Sequence, residues 1–133
     1  MATFISLTAC SAELGDREFE FDLAYLDGES NWGPTDATGV AFIDATSGLV
    51  EIDVEGLPRL EGEVYEGWVA GGLESPVATG RFNVDDDGFG SSRLILGDLS
   101  MDRFTKVVLT VEPDPDPDPG PDPRHSIAGD IPK

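Results

Sequence analysis

The sequence predicts an all-β chain, an antiparallel β-sandwich of immunoglobulin-like or Greek-key type with about seven to nine short strands. Three observations carry this. Apolar residues recur with a period of two over short runs, the spacing of a half-buried strand. Turn residues separate the runs at intervals of about 8 to 12 positions. Sixteen glycines and ten prolines in 133 residues supply many turns and leave little room for long helices.

Taken in order, Phe4, Ile5, Ser6 and Leu7 read as a first strand. Leu7-Thr8-Ala9-Cys10 has the form of a lipoprotein cleavage box, but no Lys or Arg precedes it and the stretch is short for a signal, so the strand reading is preferred. Phe19, Phe21, Leu23 and Tyr25 alternate with Glu20, Asp22 and Ala24 as a second strand. Residues 28–39 (GESNWGPTDATG) form a turn-rich loop with Trp32 as its one large apolar residue. Val40, Phe42 and Asp44 open a strand that turns at Thr46-Ser47-Gly48, and residues 49–54 return as its hairpin partner. Pro58 stops that strand, because proline lacks the donor a central strand requires.

Residues 64–69 form a strand carrying Tyr65 and Trp68; Gly71-Gly72 break it, and residues 77–84 resume. Tyr65 and Trp68 are an odd number of positions apart, so they face opposite sides. One belongs to the core, and the other is exposed or covered by a loop. Asp85-Asp86-Asp87-Gly88 is a tight turn, residues 92–96 are its return strand, and residues 106–111 (KVVLTV) are the most apolar strand. Only residues 99–104, with Ser100 as cap, suit a helical turn. Residues 112–124 form an acidic Asp-Pro loop, where alternating proline removes every second donor and fixes φ, giving a polyproline-II-like stretch stiffened by repulsion among Asp114, Asp116, Asp118 and Asp122. His125 to Ile131 closes the chain as a last edge strand. The whole length, 1–133, reads as one domain.

Charge narrows the function. Lys plus Arg is 8 against 27 Asp plus Glu, a formal net charge of -19. Such a field repels phosphates and anionic lipid and attracts cations and basic partners. Only Lys106 and Lys133 are lysines. Many acids with few lysines is the composition of a protein kept soluble in strong salt, where charges more than about 10 Å apart at 0.1 M are screened. Cys10 is the only cysteine, so no intrachain disulfide forms. No apolar run approaches the roughly 18 residues of a membrane span.

Catalysis finds little support. His125 is the only histidine, and the Gly-x-Ser-x-Gly elbow of a serine hydrolase is missing. With so many carboxylates, no acid–base pair stands out, and a solvated acidic surface is the simpler reading. Neither a cofactor nor a zinc-spaced His/Cys cluster is expected. Asn83, Asp85, Asp87 and Gly88 match the opening of a calcium loop, but its twelfth position, which needs a bidentate Glu, is Leu94. An acidic hairpin turn therefore reads better than a weak calcium site. The candidates for binding a protein partner or small ligand are Trp32, Tyr65, Trp68, the loop residues Asp114, Asp116 and Asp118, and His125.

From about Gly39 onward the chain resembles the C-terminal domain of the anti-sigma-K factor family. The residues that carry this are GVAFID at 39–44, Gly56-Leu57-Pro58, EVYEGWV at 63–69 and PVATGRF at 76–82. The Asp-Gly turn, VVLTVEP at 107–113 and Ala128-Gly129 complete the ordered set. The resemblance implies an extracytoplasmic domain, joined in that family through a membrane helix to a cytoplasmic segment that holds a sigma factor. The outer domain receives the signal that leads to release. Neither that helix nor a zinc-binding sigma-holding segment is recognised in this sequence, and the family's Glu-Pro-Gly-Gly-type loop is replaced by the Asp-Pro run. The resemblance brings no catalytic residues. A non-catalytic sensor or binding domain of an anti-sigma regulator is the expectation, with a secreted or surface interaction module as the alternative.

Overall fold

A computed structural model describes residues 17–72, 75–97, 103–115 and 120–132. The expected strand at residues 4–7 and most of the expected helical turn at 99–104 lie outside the described residues. Among the described residues there are eight strands: β1 Glu18–Ala24, β2 Thr38–Asp44, β3 Leu49–Glu55, β4 Glu63–Ala70, β5 Val77–Phe82, β6 Gly90–Ile95, β7 Lys106–Pro113 and β8 His125–Asp130. They form one sheet in the order β5-β4-β7-β8-β1-β2-β3-β6, and every pairing is antiparallel. The two outer strands, β5 and β6, lie against each other. A methyl group added at Gly80 would stand 3.4 Å from Ser92 Cβ, so the sheet is nearly closed on itself. With β5 beside β6, the order β7-β4-β5-β6 is that of a Greek key.

The antiparallel all-β expectation holds, with eight strands among the described residues in one nearly closed sheet. One element lies elsewhere. His125 to Ile131 was expected at an edge, but β8 runs between β7 and β1, and residues 126–129 are all buried. Its small Ala128 and Gly129 allow this: Ala128 pairs with Ala24, and a Cβ at Gly129 would lie 2.3 Å from the Asp22 carbonyl oxygen. Strand β8 thereby joins β1–β2–β3 to β4–β5–β7.

Period-two alternation sorts the side chains. The interior takes Ala41 and Ile43 from β2, Val50, Ile52 and Val54 from β3, Tyr65 and Val69 from β4, Val107, Leu109 and Val111 from β7, and Ile127 from β8. Each fully buried Val, Ile or Leu contributes roughly 1.5–3 kcal/mol. Two glycines are required by close approach. Gly48, at φ +78°, ends the β2–β3 turn where a Cβ would lie 1.7 Å from the Gly97 carbonyl oxygen. Gly67 faces inward between Tyr65 and Val69, where a Cβ would meet Thr79 Oγ1 at 2.5 Å and Ile52 Cδ1 at 2.6 Å. The β4–β5 register shifts between Gly67 and Trp68.

Candidate functional site

Outward-facing positions of β4 and β7 carry an unusual set for an acidic protein: Trp68, Ala70, Val108 and Thr110. Trp68 is 3% exposed although it is not part of the interior cluster. Loops cover this face. The β1–β2 loop brings Glu29, the β4–β5 turn brings Gly71 and Pro76, and the returning acidic loop brings Pro121; with Lys106 and His125 they enclose a cleft of about 230 Å³. That is below the roughly 300–1,000 Å³ usual for drug-sized ligands. A single side chain of a partner, or a very small molecule, matches it.

A buried polar chain lies under the floor. The Trp68 indole N–H donates to Thr110 Oγ1 at 2.8 Å, and the Thr110 hydroxyl donates to Glu112 Oε2 at 2.5 Å. The backbone N–H of Asp122 donates to the same oxygen at 2.7 Å. Glu112 is only 1% exposed, so these charge-assisted bonds offset the cost of burying its carboxylate. Arg124 fixes the loop's return: Nε and Nη2 grip Asp122 at 2.9 and 3.1 Å, and Nη1 reaches Glu63 at 2.6 Å. The fork from Arg124 holds the Asp122 carboxyl below its ordinary range against the opposing effect of burial. Asp122 is thus neutralised by an arginine rather than left to repel its neighbours.

The rim is ionic. Lys106 Nζ donates to Glu29 Oε1 at 2.5 Å, and His125 Nδ1 lies 2.9 Å from Glu29 Oε2. Burial pushes the Glu29 carboxyl up, but the hydrogen bonds and charges of Lys106 and His125 outweigh it and leave it below the usual range. Asn31 locks the same loop onto β8. Its Oδ1 accepts from His125 N at 2.8 Å, its Nδ2 donates to the Pro123 carbonyl at 3.0 Å, and the backbone N–H groups of Asn31 and Trp32 both donate to the His125 carbonyl.

Of the residues singled out from the sequence, Trp68 and His125 meet in this cleft. Tyr65 does not: it is fully buried on the opposite face, donates its hydroxyl to the Pro58 carbonyl at 2.5 Å, and burial pushes that hydroxyl well above the ordinary tyrosine value. Trp32 is half-buried and packs edge-on against Tyr65 with centroids 6.0 Å apart, so it caps the core. Asp114 is exposed at the loop's start; Asp116 and Asp118 lie outside the described residues. At the acidic turn, Asn83 Oδ1 accepts from Leu60 N and Val84 N, and Asp85 Oδ1 accepts from Asp87 N and Phe89 N. Asp85 thus ties down the hairpin's own backbone, and Asn83 ties the hairpin to Leu60 in the β3–β4 loop. Among the described residues, no group of three or more His, Cys, Asp or Glu is placed to hold a metal ion. Nor, among them, is any helix long and apolar enough to cross a membrane.

Sequence reading missed Glu29, Asn31, Lys106, Thr110 and Glu112. The Glu29 contacts span 77 and 96 residues, and no local pattern marks such pairs. Strand alternation could have found Thr110 and Glu112, because both share the outward phase of Val108.

The family model described as "Anti-sigma-K factor rskA, C-terminal" matches residues 10–126. The match begins well before Gly39, so it takes in β1 and the Trp32 loop as well as the motifs that carried the resemblance. No curated protein and no solved structure matches the chain.

Proposed function

Since this chain belongs to the family of anti-sigma-K factor C-terminal domains, we propose that it is a non-catalytic recognition domain that works outside the cytoplasm and meets the signal or protein partner controlling a sigma factor. The observation that carries the reading is the cleft over Trp68. It is small, floored by an indole and rimmed by Glu29, Lys106 and His125. An apolar side chain entering it gains contact with Trp68 and Val108. A polar end that competes for Lys106 or His125 releases Glu29, and with it the loop that Asn31 clamps to β8. Occupancy of the cleft is thereby coupled to the position of a loop, through differential contacts. This recognition needs neither cofactor nor calcium.

The test is an immunoblot of fractionated source cells with antibody raised to this chain. A band larger than 14.1 kDa in the membrane fraction is expected. A band of 14.1 kDa in the soluble or secreted fraction would overturn the regulator reading and leave a stand-alone, salt-adapted interaction module.

A further inference from the structure

The sheet face opposite in the strand order to the Trp68 cleft carries a second surface. Its pattern follows from register. Across β1, β2 and β3, Glu20 lies beside Phe42 and Phe42 beside Glu51; one step on, Asp22 lies beside Val40 and Val40 beside Asp53. The next row ends with Thr38 beside Glu55. In the two central rows apolar side chains therefore occupy the middle strand and carboxylates both flanking strands, while Thr38 and Asp44 hold the middle position in the rows at either end. With strands about 4.8 Å apart, the two acidic rows stand roughly 10 Å apart, and carboxylates within a row recur at about 7 Å. At one end the surface dips into an open groove of about 490 Å³ lined by Asp22, Thr38, Val40, Asp53, Glu55 and Phe89.

Two facts separate this face from an ordinary solvated acidic surface. Val40 is 39% exposed and Phe89 is 55% exposed, two of the four large apolar residues left exposed among the described residues. Arg93 pairs with Glu51 at 3.0 Å, yet among the described residues no ion pair engages Glu20, Asp22, Asp53 or Glu55. A face serving solubility alone gains nothing from an apolar centre line.

We infer that the β1–β2–β3 face docks a cationic, apolar-centred segment of a partner protein, its apolar side chains on Val40, Phe42 and Phe89 and its Lys or Arg side chains on the carboxylates to either side. Charge complementarity selects this occupant. Nucleic acid and anionic membrane are repelled by a chain of net charge -19, and a small polyamine offers only thin methylene spacers, with no branched or aromatic side chain to cover Val40 and Phe89. A guanidinium can also stack on the exposed Phe89 ring. This surface shares no residue with the Trp68 cleft, so it stands whether or not the cleft reading does.

The experiment titrates the purified chain with two synthetic peptides of equal positive charge, one alternating lysine with leucine and one alternating lysine with serine, at low and at high salt. The leucine peptide is expected to bind more tightly by about tenfold or more, and to retain part of that binding when salt screens the charges. Val40→Ser and Phe89→Ser are each expected to remove the preference for leucine. Asp22→Asn with Asp53→Asn is expected to weaken both peptides. Circular dichroism confirms that each variant is folded, and two separate apolar positions guard against the loss of either. Equal binding of the two peptides, or a leucine preference untouched by both serine variants, overturns the proposal and leaves a diffuse acidic field.

Discussion

The indole of Trp68 gives its one hydrogen to Thr110 Oγ1, and Thr110 in turn gives its own to the buried carboxylate of Glu112. One hydroxyl therefore serves as acceptor for the cleft floor and donor to a charge. Thr110→Val takes the acceptor from the indole and one donor from Glu112, which keeps the Asp122 backbone N–H. We expect a loss of about 1–3 kcal/mol in denaturant unfolding, the cost of one orphaned buried group. In the double variant with Trp68→Phe the second substitution should cost less than it does alone, and additivity would deny the coupling.

Thr79 offers the opposite case. Its Oγ1 is fully buried and has no hydrogen-bond partner. Thr79→Val keeps the shape and removes the hydroxyl, so a gain of about 1 kcal/mol is expected, read as a higher denaturant midpoint with an unchanged slope.

Gly67 adjoins that site. Any side chain there meets Thr79 and Ile52 below 3 Å, so Gly67→Val should cost about 1–3 kcal/mol or more through overpacking. Gly28, where an added Cβ meets nothing within 4 Å but φ is +88°, should cost less on replacement by Asn.

Acid should act through Glu29 and Asp122. Both carboxyls titrate lower in the folded chain than in the unfolded one. The unfolded chain therefore binds more protons in acid. The stability these groups supply is complete above the unfolded value of about 4 and disappears as pH falls through the folded values. Glu29→Gln and Asp122→Asn should be destabilising at neutral pH, with the difference from the parent chain shrinking toward pH 3. A difference that stays constant with pH would contradict this.

Calcium should leave the melting temperature where matched ionic strength puts it. Asn83 Oδ1 and Asp85 Oδ1 each already accept two backbone hydrogens, which hold the turn without a cation. Titration with calcium against sodium and magnesium controls checks this, and a shift specific to calcium would reopen the turn as a site.

Much of the fold was legible because a strand's alternation is local. Phe19, Phe21 and Leu23 against Glu20 and Asp22 set β1, and the odd spacing of Tyr65 and Trp68 placed them on opposite faces, as found. What was not legible depended on order. Nothing in HSIAGDI says whether it pairs on one side or two; that follows from Ala128 meeting Ala24, a contact across the whole chain. The same is true of the site. His125 and Trp68 stood out as rare residue types, whereas Glu29 and Glu112 were hidden among 27 acids and gain meaning only from Lys106 and Thr110 beside them. The apolar line on β2 was hidden too, because Val40 and Phe42 look like core residues until register turns Ala41 and Ile43 inward instead.

The position of β8 also imposes a schedule. Strands β1, β2 and β3 can pair as they emerge, and so can β4 and β5, and β6 brings the two groups together on one side, but the gap between β7 and β1 is filled only when β8 arrives and pairs with both. The acidic loop just before it keeps that strand on a short lead beside its first neighbour, β7. A nascent chain released or cut before residue 125 would expose two open flanks, one on β1 and one on β7, each ready to pair with another chain. Production of this protein should therefore tolerate a damaged acidic loop better than a missing final strand.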